Sequence, residues 1–503
     1  MKYQSTRGGN IRFSTAEAIK QGIAPDGGLF VPETIPQLTA DEIQNFAHKP
    51  YIEIAADVIS RYLTDYSKAE LMEYCQNAYD PEKFEGEDPA PLVQLNAYNE
   101  REYILELWHG PTAAFKDMAL QLLPYLMTGA LEKTGEKAKI CILAATSGDT
   151  GKAALEGFKD VPQTEVITFY PDGGVSEMQE KQMITTTGEN VHVISVEGSF
   201  DDAQNGVKEI FADEQLAAEL KEKNVILSSA NSINWGRLVP QIAYYVASYA
   251  RLLEREKIEY PEPVNIVVPT GNFGNILAAW YARSMGIPIK KLLCASNKNK
   301  VLSDFFRTGV YDRKREFFKT SSPSMDILVS SNLERLLFEI NQRNGDLIVE
   351  WMASLKENGS YEVGPQMLRT LQALFVGGFA EDSGVVKTIR EVYDRCDHII
   401  DTHTAVGFNI YGRYYQRSSD ETKTIFVSTA SPFKFTDTVT EAVFGKGYST
   451  NKNITELVQT LSEESSLPVP AGLAGLQEKP VLHQTKVDKT QMKDIVAEIL
   501  SGK

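Results

Sequence analysis

From about residue 101 onwards, short apolar runs alternate with longer stretches in which apolar residues recur at helical spacing. Continuous apolar runs, as opposed to alternating ones, are typical of parallel strands that helices cover on both faces. The pattern therefore predicts an α/β fold built on parallel sheets. The predicted strands are EYILEL, AKICILAA, EVITFY, NVHVISV, NVILSS, VNIVVP, KLLCAS, HIID and TIFVST. The predicted helices cover 115–133, about 175–186 and 233–254, and others begin near residues 150, 200 and 273.

The first 95 residues follow a different pattern. The stretch APDGGLFVPETIP is rich in turn residues, and 36–80 is mostly helical in its spacing. We therefore expect an N-terminal domain ahead of two domains built on parallel sheets, with the charged stretch EREKIEYPEP at a crossing between them. The predicted limits are 1–95 for the N-terminal domain, 96–135 and 256–485 for a large domain with a helical insertion at about 300–375, 136–255 for a small α/β domain, and 486–503 for a C-terminal helix.

The composition is that of a globular protein of several domains, with 503 residues, 42% of them hydrophobic and 24% charged. The net charge of −17 argues against a nucleic acid or an anionic membrane surface as partner, since both require clustered Lys and Arg. No run of 18 apolar residues occurs, the start MKYQSTRGGN has no apolar signal core, and the four cysteines form no C-x-x-C pair. We expect a cytoplasmic protein without a metal site or a membrane span.

The stretch HGPTAAFKDMALQLL sets Lys116 among apolar and small residues where a loop turns into a helix. One interpretation is a helix-start lysine that extends its amine to water. The other is a partly desolvated amine whose lowered pKa makes it a nucleophile or a Schiff-base partner. The stretch by itself leaves both interpretations open.

The stretch VNIVVPTGNFGNILAAW has the strongest single signal for a ligand. A strand ends, a glycine-rich turn follows, and a helix begins. Glycines allow successive N–H groups to converge, and the helix N-terminus adds positive potential, so the turn is predicted to bind a phosphate. The pattern matches neither the P-loop nor the dinucleotide fingerprint, so ATP and dinucleotides are poorly supported. The turn consists of Gly271, Asn272, Phe273, Gly274 and Asn275.

The stretch ILAATSGDTGKAALEGF has the same order of strand, small residues and helix. Its hydroxyl and N–H groups suit a carboxylate or a phosphate. The alternative is an ordinary helix start with Asp149 or Thr150 as the cap. The candidate residues are Thr146, Ser147, Gly148, Asp149 and Thr150.

Two further segments carry candidate residues. In SSANSINWGRLVPQIAYY, Arg237 could bind a phosphate bidentately with Ser232 and Asn234 as further donors. The alternative there is a solvated arginine and an Asn or Ser cap. In IFVSTASPFKF, Thr429 ends a predicted strand.

Together these segments resemble the fold-type II pyridoxal-phosphate enzymes, whose fold is that of the tryptophan synthase β-subunit. The order of the four segments along the chain matches that family. The resemblance implies that Lys116 binds pyridoxal 5′-phosphate as a Schiff base and that the 146–151 loop receives the substrate carboxylate. It also implies that the 271–275 turn binds the cofactor phosphate and that Thr429 meets the pyridine nitrogen.

The likeness is most specific for the threonine synthase family, in its longer subclass with an N-terminal domain. It runs from residue 3 to about residue 440 through YQSTRGG, GIAPDGGLFVPE, HGPTAAFKDMALQ, ATSGDTGKAALEGF, SANSINWGRLVPQIAYY, VPTGNFGNILA, SMDILVSSNLERLLFE and DTHTAVG. It implies conversion of O-phospho-L-homoserine and water to L-threonine and phosphate by a monomer or homodimer. Ser232, Asn234 and Arg237 would then bind the substrate phosphate. Two rivals are another type II lyase or dehydratase acting on a hydroxy or phospho amino acid, and a non-catalytic homologue that binds the cofactor.

Two positions depart from the pattern of these relatives. Asp149 stands where the wider fold type often has an Asn bonded to the cofactor's 3′-oxygen. An ionised carboxylate would repel that oxygen, so we expect Asp149 to carry a proton, point away or cap the helix. Ser431 stands where many relatives have a histidine, and the sequence suggests no role for it.

Overall fold

The computed structural model of the protein describes residues 1–96 and 99–501. Its larger sheet has six strands within this part of the chain, and neighbouring strands are parallel except for the last pair. The apolar runs of the sequence occupy its centre, as the α/β prediction requires. In spatial order the strands are Phe375–Phe379, Ile289–Ser296, Val264–Pro269, Thr424–Ser428, Asn99–Glu106 and Leu92–Asn96.

The smaller sheet has five parallel strands among the described residues. Its central strand, Thr164–Pro171, is buried along its whole length, which explains why apolar residues of EVITFY follow one another without strict alternation. In spatial order the strands are Thr485–Asp488, Val191–Glu197, Thr164–Pro171, Lys139–Ala145 and Val225–Ser228.

The C-terminal tail differs from the predicted helix over 486–503. Thr485–Asp488 is an edge strand that pairs with Val191–Glu197, and the α-helix covers Met492–Ile499. The strand has mostly exposed side chains, so it has no apolar run by which the sequence could reveal it. Its backbone pairing depends on a strand almost 300 residues away.

The predicted strand HIID is also wrong. Residues 398–401 form no strand; they lead into the helix Thr402–Ser418, where the Asp401 carboxylate caps the N-terminus. Ile399 and Ile400 are buried in a cluster beneath that helix, so their apolar character reflects helix packing. The strand predicted at TIFVST is confirmed as Thr424–Ser428.

Helices cover both sheets, and the predicted helix over 115–133 is split in two near Pro124, a residue that suits a helix start. The insertion predicted at 300–375 holds four α-helices and an antiparallel ribbon of Val310–Asp312 and Ser360–Glu362. Outside the N-terminal segment, the α-helices are Asp117–Leu120, Leu123–Thr134, Asp149–Phe158, Glu177–Ile184, Phe200–Ala212, Glu214–Glu222, Trp235–Glu254, Gly274–Ser284, Val301–Thr308, Leu333–Ile340, Gly345–Asn358, Pro365–Leu374, Asp382–Cys396, Thr402–Ser418, Thr436–Phe444, Ile454–Ser465 and Met492–Ile499.

The N-terminal segment has the expected helices and adds a small antiparallel sheet. The strands are Gly8–Phe13, Tyr3–Ser5 and Phe30–Pro32, and the helices are Thr15–Gln21, Ala40–Asn45, Tyr51–Tyr62 and Lys68–Ala78. The long helix Trp235–Glu254, which the sequence assigns to the small domain, packs against Tyr51–Tyr62 and Gly274–Ser284. The limits of the three domains remain a prediction.

Trp235 joins the N-terminal segment to the rest of the protein. Its fully buried ring makes edge-to-face contacts with the rings of Tyr3, Tyr62 and Tyr281, with ring centroids 5.6, 5.6 and 5.4 Å away. Such aromatic pairs add to the stabilisation from buried area. In the part of the chain that the structure describes, no helix combines the length and apolar composition that a membrane crossing needs.

Replacing Trp235 with Ala is expected to lower the free energy of unfolding by roughly 3–5 kcal/mol, because a large cavity opens between three elements. Urea unfolding followed by far-UV circular dichroism measures this loss. Trp280, half-buried on the helix Gly274–Ser284, is the matched control. Trp280→Ala should cost less than half as much, and equal losses would contradict the joining role of Trp235.

Candidate active site

Lys116 lies where elements of the two parallel sheets meet. Lys116 directly precedes the short helix Asp117–Leu120. The loop before Lys116 is hydrogen-bonded to the residues that follow the strand Thr424–Ser428. The Phe115 N–H donates to the Thr429 carbonyl over 2.9 Å, and Ala114 and Ala430 form a β-bridge. The sequence-predicted residues Lys116 and Thr429 are therefore neighbours, although 313 positions separate them.

The Lys116 amine is buried and faces a carboxylate. Lys116 is 8% exposed, and its Nζ lies 3.3 Å from Asp149 Oδ2 and 3.5 Å from Ser324 Oγ. The other carboxylate oxygen of Asp149 lies 2.7 Å from the Nζ of Lys434, and the Gln179 amide donates to it over 2.9 Å. Two lysines thus share one buried carboxylate, one at each oxygen.

Burial lowers the pKa of the Lys116 amine; the Asp149 carboxylate opposes this shift, and the cations Lys434 and Arg237 reinforce it. Burial alone would raise the pKa of Asp149, but the ammonium groups of Lys434 and Lys116 keep it well below its usual range. The structure therefore supports an ionised Asp149 that faces Lys116, and the expected proton on this carboxyl is wrong; that the side chain points away from the cofactor's 3′-oxygen stays a prediction. The N-cap of its helix is Gly148, so neither Asp149 nor Thr150 is the capping residue.

The loop before Asp149 is shaped by its own side chains. The Thr146 hydroxyl accepts hydrogen bonds from the N–H groups of Gly148 and Gly151, over 3.0 and 2.8 Å. Gly148 has a φ of 125°, and a Cβ there would meet the Gln179 side chain at 2.4 Å. Glycine is therefore required at this position. The half-buried Ser147 and Thr150 lie on the same loop, and their predicted substrate contacts stay predictions.

In the glycine-rich turn, carbonyl oxygens accept hydrogen bonds from the protein, whereas N–H groups are left for a ligand. The Gly271 carbonyl accepts from Ser330 Oγ over 2.7 Å, and the Asn272 carbonyl accepts from the Asn332 N–H over 3.1 Å. Phe273 has a φ of 65°, in the left-handed region. Within residues 1–96 and 99–501, the N–H groups of Gly271, Asn272 and Phe273 donate to no acceptor. This arrangement at the start of the helix Gly274–Ser284 suits an anion.

Asn275 adds a buried donor beside this turn. Its Oδ1 accepts from the hydroxyl groups of Tyr244 and Tyr245, while its Nδ2 has no hydrogen-bond partner among the described residues. An unpaired buried amide N–H is costly unless a ligand completes it. The side chain therefore supports the prediction that Asn275 takes part in ligand binding.

Arg237 is buried at the start of the helix Trp235–Glu254, and only 3% of it is exposed. Burial lowers the pKa of its guanidinium to about 10. One terminal nitrogen donates to the Ala230 carbonyl, whereas the Nε has no partner in the described part of the chain. The alternative of a solvated arginine is therefore wrong. The remaining donor capacity suits an oxyanion.

The two residues predicted to assist Arg237 are engaged within the protein. Asn234 caps the helix, with Oδ1 accepting from the Gly236 N–H over 2.9 Å, and its Nδ2 donates to the Ile19 carbonyl over 2.9 Å. Ser232 Oγ accepts from the Asn332 amide over 3.1 Å. The cap interpretation of Asn234 is confirmed, and its contact with a substrate stays a prediction.

Sequence reasoning missed three residues of this site: Lys434, Ser324 and His403. Lys434, on the short helical turn Pro432–Phe435, is fully buried, and Ser324 Oγ contacts both Lys116 and Asp149. His403 Nε2 accepts from the Ser324 N–H over 3.2 Å, and its Nδ1 bonds to Asp401 over 2.9 Å. One signal was present: Lys434 lies between two phenylalanines in SPFKF, an apolar setting like that of Lys116.

The structure also clarifies Ser431, to which the sequence suggests no role. Its Oγ accepts from the Phe433 N–H, and its own N–H donates to the Ala113 carbonyl over 3.1 Å. It therefore caps the turn that carries Lys434. Among residues 1–96 and 99–501, no group of three His, Cys, Asp or Glu side chains could bind a metal ion.

Comparisons with family models, with related sequences and with solved structures all point to the same family. Three family models match the chain: "Threonine synthase N terminus" over residues 2–79, "Pyridoxal-phosphate dependent enzyme" over 83–429, and "Threonine synthase, C-terminal" over 404–497. A threonine synthase from Pseudomonas aeruginosa is 38% identical over 478 residues, which cover 95% of this chain and 97% of that protein.

"Threonine synthase-like 1" from Macaca fascicularis is 38% identical over 490 residues, or 95% of this chain, but the match spans only 63% of the length of that relative. The crystal structure of pyridoxal-phosphate-bound threonine synthase from Brucella melitensis has a TM-score of 0.86 at 35% identity, with 100% of this chain and 99% of that one covered. The predicted fold-type II α/β architecture is thereby confirmed. The chain belongs to the threonine synthase family of pyridoxal-phosphate-dependent enzymes.

Proposed function

We propose that this protein is a threonine synthase, a lyase that converts O-phospho-L-homoserine and water to L-threonine and phosphate with pyridoxal 5′-phosphate as cofactor. The observation that carries the proposal is the buried Lys116 amine, which burial disposes to lose its proton and which faces Asp149 at 3.3 Å. A surface lysine, by contrast, stays protonated at neutral pH and is a poor nucleophile.

The residues present fit the cofactor at both of its ends. The aldehyde needs an accessible, deprotonatable amine, which Lys116 offers and the fully buried Lys434 does not. The phosphate needs several convergent donors, which the turn at 271–273 and the unpaired Asn275 amide offer. When bound, pyridoxal phosphate supplies an electron sink for negative charge that develops on substrate carbons.

The roles of the chain's own residues follow from this arrangement. Lys116 would hold the cofactor through its side-chain amine, and as a free amine it would move the proton at the substrate Cα. The Thr429 hydroxyl is assigned to the pyridine nitrogen; it is neutral, so it leaves that nitrogen less firmly protonated than a carboxylate would. The loop 146–150 is assigned to the substrate carboxylate.

Arg237 is assigned to the substrate phosphate. A doubly charged ligand entering a protein of net charge −17 needs a local cation and further donors. The unpaired Nε of Arg237 supports this assignment, because a buried guanidinium without an anionic partner is costly. Ser232 and Asn234 keep their assignment beside it as part of the proposal. A lyase for a non-phosphorylated substrate would have no use for such a cation.

Fewer observations support the proposals for the cellular compartment and the oligomeric state. All four cysteines are free, which supports a reducing, cytoplasmic compartment. We propose a monomer or homodimer, with the cofactor between a large domain of 96–135 and 256–485 and a small domain of 136–255. Assay of threonine and free phosphate after incubation with O-phospho-L-homoserine tests the activity itself; cofactor binding without either product would favour the non-catalytic homologue.

Lys116→Ala is expected to lower turnover by roughly 10²- to 10⁴-fold or more, because the cofactor loses its covalent attachment and the substrate its proton carrier. Borohydride reduction of the parent protein with cofactor, followed by peptide mapping, should label Lys116. Lys434→Arg serves as the control for the second buried lysine and should leave the label in place. A label on another lysine would overturn the assignment.

Gly274→Ala is expected to weaken cofactor binding by roughly tenfold while changing the stability of the empty protein by less than about 0.5 kcal/mol. A Cβ at Gly274 meets no protein atom closer than 3.5 Å, so the protein tolerates it and a closely bound phosphate does not. Gly271→Ala is the matched contrast: its Cβ would lie 2.6 Å from the Ser324 carbonyl, so stability falls as well. Cofactor titration and thermal unfolding separate the two effects. Unchanged affinity in Gly274→Ala would count against the predicted phosphate site.

Arg237→Ala is expected to retain the cofactor but lose kcat/KM for O-phospho-L-homoserine by about 30- to several-thousand-fold, because removing a buried charged partner costs roughly 2–5 kcal/mol. Arg237→Lys should restore part of the loss, since a lysine lacks the bidentate fork. Arg251→Ala, at the far end of the same helix and paired with Asp88 and Glu254, is the control. Parent-like turnover in Arg237→Ala would favour a lyase for a non-phosphorylated substrate.

A further inference from the structure

Lys434 has no role in the reaction as described so far, yet it is more deeply buried than Lys116 and Arg237, the other two cations of the site. Its side chain is 0% exposed, and its Nζ lies 2.7 Å from Asp149 Oδ1 and donates to the Thr112 carbonyl over 2.9 Å. Burying an ammonium group is costly unless it is paired and hydrogen-bonded. The Lys434 ammonium is both paired and hydrogen-bonded here. Because its side chain is completely buried, it is not accessible to a ligand.

The chemistry proposed for Lys116 creates a difficulty that Lys434 resolves. Lys116 must lose its proton to act, and Asp149 is its nearest anion. If Lys116 were the only cation beside Asp149, its deprotonation would leave an ionised carboxylate buried without a counter-charge. The carboxylate would therefore keep Lys116 protonated.

The contacts of Asp149 divide cleanly between its two oxygens. Oδ1 is bound by Lys434 and by the Gln179 amide over 2.9 Å, whereas Oδ2 faces Lys116 and accepts from Ser324 Oγ over 3.0 Å. Lys434 therefore binds an oxygen of Asp149 that Lys116 does not use. With both lysines protonated the three groups carry a net charge of +1, and with Lys116 neutral they carry none.

We propose that Lys434 is a positioning residue of this site: its ammonium is the permanent counter-ion of Asp149, so that Lys116 can lose its proton without leaving that carboxylate unpaired. The proposal rests on the proposed role of Lys116 as the cofactor lysine. It also explains how an aspartate can occupy a place where the wider fold type often has an asparagine, since the paired Asp149 and Lys434 are together neutral.

Other charged groups face this cluster. Arg237, on the helix Trp235–Glu254, acts in the same direction as Lys434 on Lys116. Asp117, on the helix beside Lys116, is buried, and burial raises the pKa of its carboxyl to about 6. The Ser324 N–H donates to the His403 imidazole, whose other nitrogen bonds to Asp401. These groups stay unchanged in the variants below.

The test compares the pH dependence of the absorbance of bound pyridoxal phosphate in the full chain and in three variants. In Lys434→Met, the protonation transition is expected to move to higher pH, because Asp149 then draws the proton without a competing cation. In Asp149→Asn it should move to lower pH. Lys434→Arg should stay close to the parent, since the charge is restored.

Lys152→Met is the matched control. Lys152 is also a buried lysine, its side chain is 10% exposed, and it pairs with Glu156 over 2.7 Å on the helix that begins at Asp149. Its removal should not move the transition. A Lys434→Met transition at the parent pH, or an equal shift in Lys152→Met, would overturn the proposal.

Two further measurements test the proposal if a variant does not fold or does not bind the cofactor. If Lys434→Met does not fold, the double variant Lys434→Met/Asp149→Asn should fold, because the unpaired carboxylate is gone and the buried Lys116 can lose its proton; a double variant that is equally unstable would contradict us. Acylation of Lys116 in the cofactor-free chain, followed by mass spectrometry, gives a second pH profile, which should move upwards in Lys434→Met. Absence of any cofactor band in the parent would count against the proposed function, whereas unshifted profiles would count against the role of Lys434.

Discussion

The buried carboxylate of Asp149 is the interaction on which the rest of the site depends. An ionised carboxylate removed from water costs several kcal/mol unless cations and donors surround it. Four segments supply them here, through Lys116, Gln179, Ser324 and Lys434. Because these segments belong to different parts of the chain, satisfying one charge brings the smaller sheet's first helix against the loops of the larger sheet. The site therefore draws its residues from elements of both sheets.

The glycine-rich turn depends on a comparable division of polar groups. Its carbonyl groups are bound by Ser330 and Asn332, which leaves the N–H groups for a ligand. The segment that binds them continues into Arg335, a buried guanidinium that donates to the Phe30 and Ile233 carbonyls. The stretch SMDILVSSNLERLLFE thus connects the N-terminal segment, the start of the Arg237 helix and the turn.

Individual strands show which parts of the fold could be predicted from the sequence and which could not. The apolar runs predicted the central strands, because strands shielded on both faces must be apolar throughout. The edge strand Thr485–Asp488 was not predictable, since its side chains are mostly exposed and its pairing is made by the backbone. HIID was misassigned because buried apolar residues beneath a helix have the same composition as a short buried strand.

The sequence by itself determined the fold class, the family, and the segments that carry Lys116, the small-residue loop and the glycine-rich turn, because local residue type governs helix starts, turns and apolar runs. Only the tertiary structure decided the state of Asp149. Its charge depends on Lys434, which lies 285 positions further along the chain and reaches the same carboxylate. The balance between the cost of burying a charge and the gain from pairing it is set by distances in space, which the order of residues does not specify.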